Sequence, residues 1–185
     1  MPLTTQLAEK RQRELAPTGP TTGLVCRIVD LGTHINQFNK ERNQVAITFE
    51  LPDLEPIEYE RDGEKLTGNR VITNTYNFVF GDKSRLTTLF KAAGLNVPDY
   101  GENASLLPLL GKYVQVSIKH EERDGKTYEN IDEIASLHPS IPRTEGALPK
   151  YTYDVKDKQN DIYQQLPEWL KKKIDGCLEN ASGTL

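Results

Sequence analysis

Phe38, Lys40 and Arg42 stand together in "QFNKER", a flat ring followed by two cations in a polar stretch between two strand-like runs. Aromatic faces on which bases stack, with Lys or Arg along the backbone path, are what binding of single-stranded nucleic acid requires. Arg27, Arg70, Tyr113 and Lys119 fall at strand positions expected to face away from the apolar side, and Tyr128 sits beside a turn. Tyr76 shares the parity of Ile72, Phe78 and Phe80, which argues for the core ahead of a binding role. Catalytic chemistry finds little to build on. His34, His120 and His138 show no HxH or HExxH spacing, and neither GxSxG nor GxxxxGK[ST] occurs. Cys26 and Cys177 form no CxxC pair and read as reduced, buried thiols. The acids of residues 50–64 lack the D-x-D-x-D-G order of a calcium loop. The expectation is a binding protein that is not an enzyme, with no cofactor and no metal.

These residues need elements to hold them. The chain has 185 residues, a mass of 20.9 kDa and a mean hydropathy of -0.60, enough for one domain with appendages. No run approaches the roughly 20 apolar residues of a membrane span. The N-terminal "MPLTTQLAEKRQREL" has no apolar signal core, so a cytoplasmic location is expected, in the host cell if the protein is viral. Net charge is -4 and the pI about 5.5, which does not by itself suggest a phosphate binder. The distribution is more informative. Residues 23–138 carry 13 Lys+Arg and 18 Asp+Glu, but 50–65 hold 7 of the acids with 2 bases, leaving 11 of each elsewhere. One acidic flap therefore accounts for the excess.

Hydrophobic periodicity supplies the order of elements. "GLVCRIVDLG" is a β-rich run; "NQVAITFEL" alternates Val45, Ile47, Phe49 and Leu51 against Ala46, Thr48 and Glu50, as a half-buried strand should; "RVITNTYNFVF" is a third strand. "DKSRLTTLFKAAG" then spaces Leu86, Leu89, Phe90 and Ala93 helically, with Asp82 or Ser84 to cap and Gly94 to stop it. A hairpin follows, Val114, Val116 and Ile118 on one side, reversing at Asp124-Gly125. Three strands, a helix and a hairpin is the order of the OB-fold, a five-stranded Greek-key barrel with its helix between strands three and four. The expected organisation is a flexible arm over 1–22, the OB-fold domain over 23–138, a Pro-rich linker over 139–160, and an amphipathic helical tail over 161–185. With 7 Lys+Arg and 7 Asp+Glu in 139–185, the tail is expected to be dispensable for folding and to serve association.

The stretches "RIVDLGTHINQF", "VAITFELP", "YNFVFGDKSRLTTLF", "LLGKYVQVSIKH" and "LPEWLKKKI", spread over residues 23–175, resemble a group of bacteriophage proteins that includes OB-fold single-stranded-DNA-binding proteins. The resemblance implies a replication or recombination accessory that coats and protects single-stranded DNA, or RNA, without sequence preference. Bacterial proteins of this function end in an acidic tip, whereas this chain ends "GCLENASGTL", so that recruitment mode does not carry over. The rival expectation is a protein-interaction or virion-assembly module in which Trp169, Leu170 and Ile174 anchor a partner or a second copy.

Overall fold

A computed structural model of the chain describes residues 14–61, 63–99, 104–157 and 160–181. The fold is mainly β. Its strands are β1 (Gly19–Ile35), β2 (Glu41–Leu51), β3 (Ile57–Arg61), β4 (Glu64–Gly68), β5 (Arg70–Asn77), β6 (Tyr113–Arg123), β7 (Lys126–Ala135) and β8 (Tyr151–Tyr153). The helices are α1 (Arg85–Ala92), α2 (Asn160–Gln165), α3 (Glu168–Asp175) and α4 (Leu178–Ala181). Six strands form one sheet in the order β5-β2-β1-β6-β7, antiparallel along that path, with β8 added in parallel to β1. The acidic flap is the separate hairpin β3–β4.

β1 organises the molecule. Its first part, Gly19 to Leu24, pairs with β6; from Leu24 to Ile35 it pairs with β2. Register shifts between Val25 and Arg27 and between Asp30 and Gly32 bend it, as extra residues in one strand do. Gly32 adopts φ +74° at the second shift, its amide donating to Asp30 Oδ1 at 2.9 Å. Beyond the first bend, the edge of β1 is taken over by β8, with Arg27 opposite Tyr151 and Val29 opposite Tyr153.

α1 forms where the periodicity places it. Ser84 is the N-cap, its hydroxyl accepting from the Leu86 amide at 3.2 Å, and Gly94 follows the helix at φ +73°. Leu86, Leu89 and Phe90 drop into a core made by the inner faces of β1, β2, β5 and β6, among them Val25, Ile47, Phe49, Ile72 and Val116. β5 and β7, the two ends of the strand path, approach each other but share no ladder among the described residues. The sheet is thus not a closed barrel. Tyr76, Arg85, Ile131 and Ile134 line a cleft at this seam.

Two expectations about the termini change. Residues 14–22, read as part of a flexible arm, belong to the fold: Ala16 is buried, its amide donates to Glu129 Oε2 at 2.7 Å, and its carbonyl lies 2.7 Å from His120 Nε2. The rest of that arm, 1–13, lies outside the described residues. Of the stretch 139–160 read as a linker, 158 and 159 lie outside the described residues, while residues 139–157 do more than connect, because they cross the outer face of the sheet and include β8. There Tyr153 and Val155 join Leu166, Leu170, Ile174 and Cys177 against Val29, Leu31 and Ala46, making a second core. β2 is consequently buried on both faces. Ala46, Thr48 and Glu50 are each 2% exposed or less, where the alternation suggested solvent.

The tail is also fixed by charge. Thr33 donates to the Glu179 carboxylate twice, from its amide at 2.8 Å and its hydroxyl at 2.7 Å. Burial pushes this carboxyl up, but the Thr33 bonds, with donors from the Glu179 backbone and Cys177, outweigh it and hold it at about 2 against a usual 4.5. A carboxylate depressed in the folded state stabilises fully above its unfolded pKa and loses that contribution as pH falls through the folded value. Tail packing should therefore weaken between about pH 4.5 and about pH 2. An acid titration followed by tryptophan emission checks this, and Glu179→Gln should flatten the transition in that window. An identical acid profile for the variant would remove Glu179 from the account.

Candidate nucleic-acid interface

The turn between β1 and β2 is built by Asn36. Its side-chain oxygen accepts from the amides of Phe38 and Lys40, both at 3.0 Å, while its own amide donates to the Lys40 carbonyl at 2.9 Å. Asn39 completes the reversal at φ 55°, a conformation Asn tolerates better than most side chains. The result is a tight tip that presents Phe38 outward, 72% exposed. Lys40 is exposed beside it, and Arg42 is half-buried with Nη1 donating to the Glu41 carbonyl at 3.0 Å. Ring and cations are thus brought together as the sequence suggests, on a turn whose backbone is held by its own hydrogen bonds.

The β6–β7 hairpin carries a second set. Tyr128 is 45% exposed, and the Arg123 guanidinium lies 5.6 Å from its ring centroid. Arg123 escapes a reading of the sequence because it lies next to the turn rather than within the alternating run. Lys119, further in along the same strand, is ion-paired with Asp132 at 3.1 Å and Glu121 at 3.5 Å, which raises its pKa. Both acids compete with any phosphate for it.

The remaining expected positions are used internally. Arg70 is buried, sharing the inward face with Ile72: its Nε donates to the Glu55 carbonyl at 3.1 Å and Nη1 to the Glu14 carbonyl at 2.8 Å. It pins the entering chain and the acidic flap. Tyr76 is core, 2% exposed, with Asn74 donating to its hydroxyl at 3.3 Å and Arg85 5.2 Å from its ring centroid. Tyr113 faces outward, but outward meets the crossing segment, where its hydroxyl donates to the Thr144 carbonyl at 3.0 Å. Leu170 and Ile174, expected to meet a partner, are buried in this chain's own second core. Trp169 alone of that set is exposed, at 45%.

Arg27 occupies the outer face between the two covered regions, opposite Thr48 on β2 and stacked on Tyr151, 5.4 Å from its ring centroid. Among the described residues its buried Nε has no hydrogen-bond partner. Thr48 and Thr73 hydroxyls pair at 2.8 Å along the same row. Tyr151 is not among the expected residues, because it sits in the Pro-rich stretch read as a linker. Cys26, beside Arg27, is pushed up to about 11 by burial, which leaves a thiol with little nucleophilic character.

No protein-family model matches the chain, and the curated proteins hold no significant match to it.

Proposed function

We propose that the chain is an OB-fold, single-stranded-DNA-binding protein of phage replication or recombination, coating unpaired strands without sequence preference. The observation that carries the reading is Phe38, a large ring held mostly in solvent by a hydrogen-bonded turn and flanked by Lys40 and Arg42. An exposed aromatic on a rigid tip loses little entropy when a base stacks on it, and adjacent cations meet the phosphates. The strand path β5-β2-β1-β6-β7 supports the fold part of the reading, since it places strands in the OB order 3-2-1-4-5 with a helix at the β5–β6 connection. Tyr128, with the Arg123 guanidinium 5.6 Å from its ring centroid, supplies a further stacking group, although Glu121 Oε2 at 3.1 Å shares that guanidinium with any phosphate.

Fluorescence anisotropy of labelled oligo-dT against the matched duplex tests this. Single strands should be preferred, and affinity should fall with salt at a log-log slope of about -0.7 per phosphate neutralised. Phe38→Ala should weaken binding by roughly 1–3 kcal/mol with little change in melting temperature. Equal affinity for duplex, or indifference to salt, would overturn the reading.

A further inference from the structure

α3 presents two faces. Leu170 and Ile174, one turn apart, are buried in the second core and fix the helix against β1 and β2. On the other side Trp169 is 45% exposed, with Lys172 and Lys173 three and four residues further on. Residues at these spacings are neighbours on a helix surface, about 5–6 Å apart at Cβ. Lys171 is committed elsewhere, to Glu168 at 3.2 Å and to the Tyr163 ring. Asp175 accepts from the Tyr163 hydroxyl at 2.7 Å. Among the described residues neither Lys172 nor Lys173 forms an ion pair.

We propose that Trp169, Lys172 and Lys173 form a second single-strand contact, in which a base stacks on the indole and the neighbouring phosphates meet the two lysines. This rests on the single-strand-binding reading and extends it from the sheet to the tail. Two features favour nucleic acid over a protein partner. Of the exposed described residues near Trp169 along the chain, Gln165, Glu168 and Lys172 are polar and only Pro167 is apolar, which is little for a protein core to bury. A lone indole beside uncompensated cations suits a ligand that alternates flat rings with negative charges. Lysines in the last turn also complement the helix dipole, but that role asks nothing of an exposed tryptophan on the same face.

Trp169 is the one tryptophan of the chain, so its emission reports on this site alone. The full-length protein is titrated with oligo-dT, following Trp emission and, with labelled oligonucleotide, anisotropy. Quenching that saturates with the anisotropy, together with about tenfold weaker binding by Trp169→Ala, a factor equal to about 1.4 kcal/mol, is the expected result. Lys172→Ala with Lys173→Ala should make the salt slope shallower by about 0.7 for each phosphate that the two lysines neutralise in the wild-type protein. Phe38→Ala should leave the quenching in place at saturating oligonucleotide. Anisotropy showing binding while Trp emission stays unchanged and Trp169→Ala binds like wild type overturns this second site, leaving the indole to a protein partner and the broader reading intact. Absence of any oligonucleotide binding overturns both.

Discussion

A chain cut after Pro139 is expected to be unfolded or insoluble. The removed segment contains β8, α2, α3 and α4, and its Tyr153, Val155, Leu166, Leu170 and Ile174 fill the second core. Each large apolar side chain fully buried contributes roughly 1.5–3 kcal/mol, so about 10 kcal/mol leaves with them. That is comparable to the whole stability of a typical domain, about 5–15 kcal/mol. The truncation also bares Val29, Leu31 and Ala46 as an apolar strip on an extended sheet face, a form of surface that aggregates. The balanced charge of the tail suggested a dispensable appendage, but charge says nothing about which apolar face it covers. Expression of the two forms, followed by circular dichroism and thermal melting of any soluble product, decides the matter. A truncated protein with a cooperative melt close to that of the full chain would show that the second core contributes little. Leu170→Asp in the full chain places a charge in the same core and should act in the same direction.

Glu50→Ala should cost the full chain roughly 3 kcal/mol or more. The carboxylate is fully buried and its Oε1 accepts from Asn69 Nδ2 at 2.7 Å, the Ala147 amide at 2.7 Å and the Leu148 amide at 3.2 Å. Alanine removes the acceptor and leaves these donors without it, at roughly 1–3 kcal/mol for each one that remains buried and unsatisfied. Room to rearrange is small. A Cβ added at Gly146 would sit 2.5 Å from both Glu50 Oε2 and Leu24 Cδ2, so the crossing backbone is pressed onto this side chain. For a domain of this size each kcal/mol shifts the melting temperature by about 2–4 °C, giving a drop of roughly 6–12 °C. Glu50→Gln keeps a carbonyl acceptor and should lose less. Melting of Glu50→Ala within about 2 °C of wild type would mean that the crossing segment is held by other interactions, such as the hydrogen bonds of Thr144 to Asp53 and Tyr113.

Periodicity makes the strand order legible because each strand of the main path has one face in the first core, and that face alternates in the sequence as it does in space. Val45, Ile47, Phe49 and Leu51 illustrate it, as do Leu86, Leu89 and Phe90 on the helix. The second core is not legible. Its sheet side is made of Val29, Leu31 and Ala46, residues within runs already assigned to the first core, and its neighbours Thr48 and Glu50 are polar. A polar residue whose hydrogen bonds are satisfied under a crossing segment looks, in sequence, like one facing water. Tyr113 shows the same limit from the other side: it points away from the first core as its parity requires, but the Thr144 carbonyl awaits it. Arg70 differs for another reason, since an inward-facing arginine at a sheet end is explained only by the backbone carbonyls of Glu14 and Glu55, which come from distant parts of the chain. Phe38, Lys40 and Arg42 are legible because what positions them is local: the Asn36 turn holds Phe38 and Lys40, and Arg42 pairs with His34 just across the β1–β2 reversal.

The pairing of Arg27 with Tyr151 and of Val29 with Tyr153 joins nearly opposite ends of the chain. On a translating ribosome that adds about 5–20 residues per second, β1, β2, α1 and the β6–β7 hairpin all emerge before β8 exists. Until it does, the nascent sheet has an inner face that can be buried and an outer face that cannot, with Leu31 and Ala46 bare and Glu50 short of its backbone donors. Synthesis order therefore gives the protein a late, C-terminal completion step, and a pause or frameshift past residue 135 would release a product that is assembled on one side and adhesive on the other.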